Sequence, residues 1–157
     1  MVHGFEVPFD EARNKNIVPS TWVFKVKRTP DGDIKKFKAR LCLRGDLMRG
    51  VTDTYAPVVA FSTVRIFSIM SIISKRETCS IDFSNAFIQA KREKPIYIRA
   101  PRGFHTKGEH KVLKLIKSLY GAKDAPRLWM KLLFAAFKEF GLVQSEYDPC
   151  LWMEEKK

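Results

Sequence analysis

The sequence predicts an α+β fold, and three observations carry the expectation. Residues 20–45 have the signature of a β-hairpin, strand-like runs recur near residues 79–82, 96–99 and 111–117, and residues 125–140 form a broad apolar stripe of helical period. With 157 residues, 45% of them apolar and 12% aromatic, the chain can bury one core of ordinary size. No repeat, low-complexity segment or linker divides it.

In the hairpin, residues 21–28 and 34–44 are strands joined by Thr29-Pro30-Asp31-Gly32-Asp33. Pro30 pre-sets a turn, and Gly32 can take the left-handed conformation that closes it. Strand alternation puts Lys36, Lys38, Arg40 and Arg44 on one face with Cys42, and Phe37, Ala39, Leu41 and Leu43 on the other. The apolar face is expected to pack. The cationic row suits a phosphate backbone, the alternative being a solubilising surface.

Residues 62–75 carry Val64, Phe67, Ile69, Met70, Ile72 and Ile73, which predicts a buried helix capped by Ser62 or Thr63. A strand ending at Asp82 follows, then a helical turn over 86–90, strands over 96–99 and 111–117, and the helix of 125–140. Pro126 falls in the first turn of that helix and Gly141 lies just beyond its end. A last strand is expected from Cys150 to Met153.

Lys and Arg number 29 against 17 Asp and Glu, a net charge of +12 that favours a polyanionic partner. The three cysteines, Cys42, Cys79 and Cys150, have neither zinc nor disulfide-framework spacing, which fits a reducing intracellular setting. No signal peptide or membrane-spanning run is present, so neither secretion nor a membrane partner is expected. His105 and His110 read as loop residues without a third metal ligand. An RNA-recognition-type domain is disfavoured, because no strand is expected to expose closely spaced aromatics.

The segment Ile81-Asp82-Phe83-Ser84-Asn85-Ala86-Phe87 puts one carboxylate at a strand end and a ring five residues on. Two-metal phosphoryl transfer needs hard oxygen ligands on rigid backbone, holding cations ~4 Å apart. One Asp cannot supply that alone. Asp82 could equally cap a turn, and Phe87 could be a core ring.

The motifs that surround this segment resemble copia-type LTR retrotransposon reverse transcriptases. In order they are Trp22-Val23-Phe24-Lys25-Val26-Lys27, Lys38-Ala39-Arg40-Leu41 with Arg44-Gly45, and Tyr55-Ala56-Pro57-Val58-Val59 with Thr63 and Arg65. They continue with the Asp82 segment, Ile96-Tyr97-Ile98 with Pro101-Arg102-Gly103-Phe104, Leu119-Tyr120-Gly121-Ala122-Lys123-Asp124-Ala125-Pro126-Arg127-Leu128-Trp129, and Asp148-Pro149-Cys150-Leu151. The resemblance implies a fragment of a right-hand polymerase: an N-terminal extension over 1–19, then over 20–153 a fingers hairpin and the first half of a palm, then a charged tail over 154–157. A mixed or antiparallel sheet backed by helices would form that palm.

The same resemblance implies roles. Asp82 would be a catalytic metal ligand and the Phe83 carbonyl a further metal contact, with Mg²⁺ or Mn²⁺ as the ion. Phe87 would be the ring that excludes a 2′-hydroxyl. Lys38, Arg40, Tyr120, Gly121 and Lys123 would line the nucleotide site, and Lys36 and Arg44 would touch nucleic acid. The partners would be an RNA or DNA template-primer, a deoxynucleoside triphosphate and the rest of the palm and thumb, in the cytoplasm or a virus-like particle. The sequence departs from the family pattern at Asp124, where Gln is usual; an acid there would repel a triphosphate unless it turns away. No Asp-Asp pair occurs before Lys157, so the Tyr-x-Asp-Asp hairpin is missing, metal would bind weakly and the chain alone is expected to be inactive. The alternative is a non-catalytic basic nucleic-acid-binding remnant of such an element.

Overall fold

The computed structural model describes residues 4–101, 103–104 and 111–154. The chain forms two units, one of residues 1–54 and 85–129 and the other of residues 55–84 and 130–157. The expectations for His105 and His110, and for most of the charged tail, lie outside the described residues.

In the first unit the framework is a four-stranded mixed sheet of β1 (Gly4–Pro8), β2 (Ile17–Val18), β5 (Lys91–Arg99) and β6 (Lys111–Lys117), in the order β1-β6-β5-β2. β5 and β6 pair antiparallel, β1 adds antiparallel to β6, and β2 adds parallel to β5. Residues 4–8 and 17–18, read as part of an extension, thus supply two strands of this sheet. Period-two alternation gives the sheet a core on each face. Ile96, Ile98, Leu113 and Leu115 pack with Val18, Leu43, Leu119 and Ala122 on one side, while Val7, Tyr97 and Val112 pack with Ala12 on the other.

The hairpin of the same unit is β3 (Ser20–Arg28) and β4 (Ile34–Leu43). Gly32 closes its turn at φ +93°, and the Gly32 N–H donates to the Thr29 carbonyl at 3.0 Å. The packed face expected of it is realised only at the base. Leu43 is buried and Leu41 half-buried, but Phe37 is exposed, because no element among the described residues covers the outer part of the ribbon. Arg44 is a second correction: it has left β4 and turns back to pair with Asp46, so it does not extend the cationic face.

α2 (Ala86–Gln89) is the short turn foreseen after Asp82, entered through Asn85 at φ +55°. A short polar side chain tolerates that left-handed conformation. α3 (Ala125–Glu139) starts in the first unit, and Gly141 at φ +76° follows its end, as Pro126 and Gly141 predict.

The second unit holds α1 (Phe61–Ile73), the later turns of α3, and an antiparallel pair, β7 (Leu142–Gln144) and β8 (Trp152–Glu154). The Trp152 ring lies 5.0 Å from that of Phe134 and 5.4 Å from that of Phe137, which fixes the pair against α3. Three expectations fail in this unit, the first being the cap of α1, since Ala60 holds the N-cap position and Ser62 and Thr63 lie inside the helix. α1 is not a buried helix: Phe61, Ile66, Phe67, Ile69, Ile72 and Ile73 are all exposed, and Ser71 is its only fully buried residue. Its apolar residues run nearly all round the cylinder, so burial on one side cannot hide them. The strand before Asp82 is also not formed, since residues 76–83 have no partner strand among the described residues to pair their backbone groups.

Candidate functional site

Two glycines bring the sequence motifs of the first unit together. The Leu43 N–H donates to the Tyr120 carbonyl at 2.7 Å, which lays the loop 118–124 across the end of β4. A Cβ on Gly45 would stand 2.0 Å from the Gly121 oxygen, and one on Gly121 would stand 2.2 Å from the Leu43 oxygen. Only glycine allows this backbone approach, and Gly121 also has φ +82°.

The loop is held at other points. The Ser118 N–H donates to the Ala90 carbonyl at 2.9 Å, and the Lys123 ammonium donates to the Met48 carbonyl at 3.1 Å. Asp124 is the residue that precedes α3, and its carboxylate accepts two bonds from Arg92, at 2.8 and 2.6 Å. Both side chains are largely buried, at 6% and 13% exposure. The acid is therefore turned to Arg92 and neutralised there, which answers the repulsion expected of it.

Held this way, the loop presents Tyr120 to both its neighbours. The Arg40 guanidinium sits over the Tyr120 ring at 5.5 Å, and the Phe87 ring meets the Tyr120 ring edge-on at 5.4 Å. Arg40, Tyr120 and Phe87 form one continuous row from three separate segments. Phe87 is half-buried and also packs against the sheet core, so its core and its functional readings are both compatible with its position.

Lys36 and Lys38 extend the row along β4, and the register adds two cations that the sequence reading passed over. Lys25 lies directly opposite Lys38, and Lys27 opposite Lys36. Their signal was available in Lys25-Val26-Lys27, two residues apart on one strand face. Lys123 belongs to the structural tether at Met48. Arg44 donates to Asp46 at 3.0 and 2.7 Å, and this pair lowers the Asp46 pKa and raises that of Arg44.

Asp82 and Phe83 belong to the second unit, in the irregular segment 76–83, and both are exposed. Among the described residues no group of three or more His, Cys, Asp or Glu side chains is arranged to hold a metal. A two-cation centre does not fit that donor set, and no chemical step follows from it here.

No helix of the described residues is long and apolar enough to cross a membrane. Residues 6–156 match the family described as reverse transcriptase (RNA-dependent DNA polymerase). The chain is 32% identical over 146 residues to the retrovirus-related Pol polyprotein from transposon TNT 1-94 of Nicotiana tabacum, covering 90% of this chain and 11% of that protein. It is 33% identical over 144 residues to the Pol polyprotein from transposon RE1 of Arabidopsis thaliana, covering 89% of this chain and 10% of that protein. A transposon Ty1-H Gag-Pol polyprotein of Saccharomyces cerevisiae is 32% identical over 124 residues, covering 76% of this chain and 6% of that protein. The chain thus spans about a tenth or less of the length of these relatives. No solved structure matches it. With the family matched across nearly the whole chain, this is a member of the reverse transcriptase family, of the type found in copia-like retrotransposon Pol polyproteins.

Proposed function

We propose that this chain is the fingers and part of the palm of an RNA-directed DNA polymerase, and that its first unit holds the incoming deoxynucleotide. The observation that carries this reading is the row Arg40–Tyr120–Phe87. A guanidinium and a phenyl ring gathered on one phenol offer partners for the phosphate, the base and the sugar of a nucleotide. Arg40, with Lys38 on the same strand, offers charge-assisted bonds to the triphosphate. Tyr120 gives a flat surface beside it, and Phe87 supplies bulk where a 2′-hydroxyl would project. Gly121 admits the backbone approach that holds Tyr120, and Lys123 keeps the loop in place. Lys36 serves the nucleic-acid backbone, with Arg44 as a rim charge already shared with Asp46.

Members of this family generally use divalent metal ions. Asp82 and the Phe83 carbonyl are proposed to contribute to such a centre, which requires carboxylates beyond those that the described residues bring together. The reading is supported for nucleotide and template binding; templated transfer belongs to a complete site. The remnant reading rests on the cationic hairpin alone and predicts nucleic-acid binding without nucleotide selectivity.

The test is a titration of the chain with dATP and with ATP, followed by fluorescence. Arg40→Gln should weaken dATP about tenfold, the effect of losing one charge-assisted phosphate contact. Phe87→Ala should narrow the gap between dATP and ATP. If neither variant alters nucleotide affinity while RNA binding persists, the remnant reading replaces this one.

A further inference from the structure

We infer that a cavity at the β2 edge of the four-stranded sheet is a second anion site, built for a compact polyvalent oxyanion of the diphosphate class. It shares no lining residue with the row of Arg40, Tyr120 and Phe87 and stands independently of the nucleotide reading. β2 runs beside β5 only at Ile17 and Val18. Just before that pairing, Lys15 and Asn16 enclose a cavity of about 210 Å³ together with residues 94–96 of β5 and residues 48–51. The Arg49 N–H donates to the side-chain oxygen of Asn16 at 3.3 Å and joins two of these walls. β5 is shaped to make the third. Between Lys91, opposite Lys117, and Ile96, opposite Leu115, residues 92–95 stand against Ile116 alone. Such a bulge re-aims the side chains it carries. The Arg92 guanidinium fastens it, donating to the Lys94 carbonyl at 3.2 Å and twice to the buried Asp124 carboxylate.

Lys15, Arg49, Arg92 and Lys94 line the cavity, and no Asp or Glu among the described residues does. Asp124 neutralises Arg92. Lys15, Arg49 and Lys94 have no carboxylate partner among the described residues. All three are exposed, so an anion can reach them. Beneath them lie Val18, Met48 and Ile96, which belong to the buried core. Cations of one sign around a concavity with a low-dielectric wall focus their field into it, whereas the same charges spread over an open surface are screened by salt. Size narrows the ligand. At about 30 Å³ for each water the cavity has room for roughly seven, and it falls short of the roughly 300 Å³ at which pockets for drug-sized molecules begin. A whole nucleotide is too large for it. A diphosphate concentrates several negative charges in a body that fits, while a nucleic-acid diester carries one charge per phosphate and must continue on both sides.

The test is a calorimetric titration of the whole chain with sodium diphosphate, at low salt and without divalent ions, in an Arg40→Gln background so that the nucleotide row does not compete. Arg49→Gln and Lys94→Gln should each weaken binding about tenfold, the effect of losing one charge-assisted contact. Arg49→Lys keeps the charge and should retain most of the affinity. Both positions are exposed, so these changes leave the core intact. Lys138→Gln, in the last turn of α3, should change nothing. An oligo(dT) with a 5′-hydroxyl end holds only diesters and should not displace the diphosphate. Absence of diphosphate binding, or no loss in the cavity variants, would overturn the site. A loss in Lys138→Gln equal to that in Arg49→Gln would replace it with a diffuse attraction to net charge. Displacement by oligo(dT), with the cavity variants weakening the oligonucleotide as much as the diphosphate, would make the cavity a stretch of nucleic-acid track and also overturn it.

Discussion

Thr63 donates a 2.6 Å hydrogen bond to the carboxylate of Asp148, eighty-five residues further along the chain, and closes the N-terminus of α1 from outside the helix. The helix has no cap of its own, because the N-cap residue is Ala60. The same carboxylate accepts the Ala60 N–H at 2.9 Å and the Cys150 N–H at 2.8 Å. Asp148 is 4% exposed. One acid thus satisfies the free N–H of a helix end and, being negative, complements the dipole there.

Asp148→Ala should therefore lower the melting temperature by roughly 2–4 °C, the shift expected for loss of one cap in a chain of this size. Asp148→Asn keeps an acceptor oxygen and should lose less. The pH dependence has a definite sign. The Thr63 hydroxyl first, then the Ala60 and Cys150 N–H groups, hold the Asp148 carboxyl below its ordinary value. A carboxyl whose folded pKa lies below its unfolded one contributes fully above the ordinary carboxylate range, and the contribution fades as pH falls through the lowered value. Thermal melts followed by circular dichroism from about pH 7 to pH 3 should show a smaller acid loss for Asp148→Asn than for the parent chain.

The same carboxylate acts on a thiol. Burial, and then the charge of Asp148, push the Cys150 thiol above its ordinary value. Cys79 is exposed. A maleimide at neutral pH should therefore label Cys79 first and Cys150 slowly, since only the thiolate attacks. Asp148→Asn removes one of the two causes, so it should speed labelling of Cys150, as read by peptide mass spectrometry. Unchanged kinetics at Cys150 would mean that its accessibility alone controls the rate.

The pair of Arg92 and Asp124 should behave as a buried ion pair whose separation is more harmful than its absence. Arg92→Leu leaves the Asp124 carboxylate without its two donors and should cost about 3–5 kcal/mol in a denaturant titration. Replacing both residues by Leu should cost markedly less, because no uncompensated charge remains. If the double variant is as unstable as the single one, the pair is acting through Asp124 at the start of α3 instead. The two are then distinguished by Asp124→Asn, which keeps an acceptor at that position.

What the sequence made legible follows its local chemistry. The hairpin turn, α3 and β6 were read within a residue or so, because Pro30, Gly32, Pro126 and Gly141 act through local dihedral preferences and the Lys111–Lys117 alternation is strict. The N-terminal strands were missed because Ile17–Val18 is only two residues long and Gly4–Pro8 alternates only over Phe5-Glu6-Val7 before its terminal proline, and their pairing to β5 and β6 is what makes them strands. Apolar alternation misled at Phe37, and apolar richness misled at α1. A hydrophobic residue signals that something is to be covered, but not whether that something is the chain's own core. Arg40 and Tyr120 were each legible as motif members, whereas their contact depends on Leu43 meeting Tyr120.

That meeting leads to the strongest single-residue expectation. A methyl group at Gly45 would collide with the Gly121 oxygen, and one at Gly121 would collide with the Leu43 carbonyl oxygen while forcing an L-residue into φ +82°. Backbone cannot swing aside as a side chain does, so Gly121→Ala should cost roughly 3 kcal/mol or more, combining strain at positive φ with overpacking. Gly45→Ala lacks the φ strain and should cost less, but it must still push the loop from β4. Both variants should separate Tyr120 from Arg40, so nucleotide affinity should fall with each, even at temperatures where both remain folded. Gly32→Ala is the control: its Cβ would meet nothing within 4 Å, so it carries the strain of φ +93° without the clash. If Gly32→Ala destabilises the chain as much as Gly121→Ala, the close approach contributes nothing beyond backbone strain; if it leaves nucleotide affinity unchanged while Gly45→Ala lowers it, the glycine contact is what seats the loop.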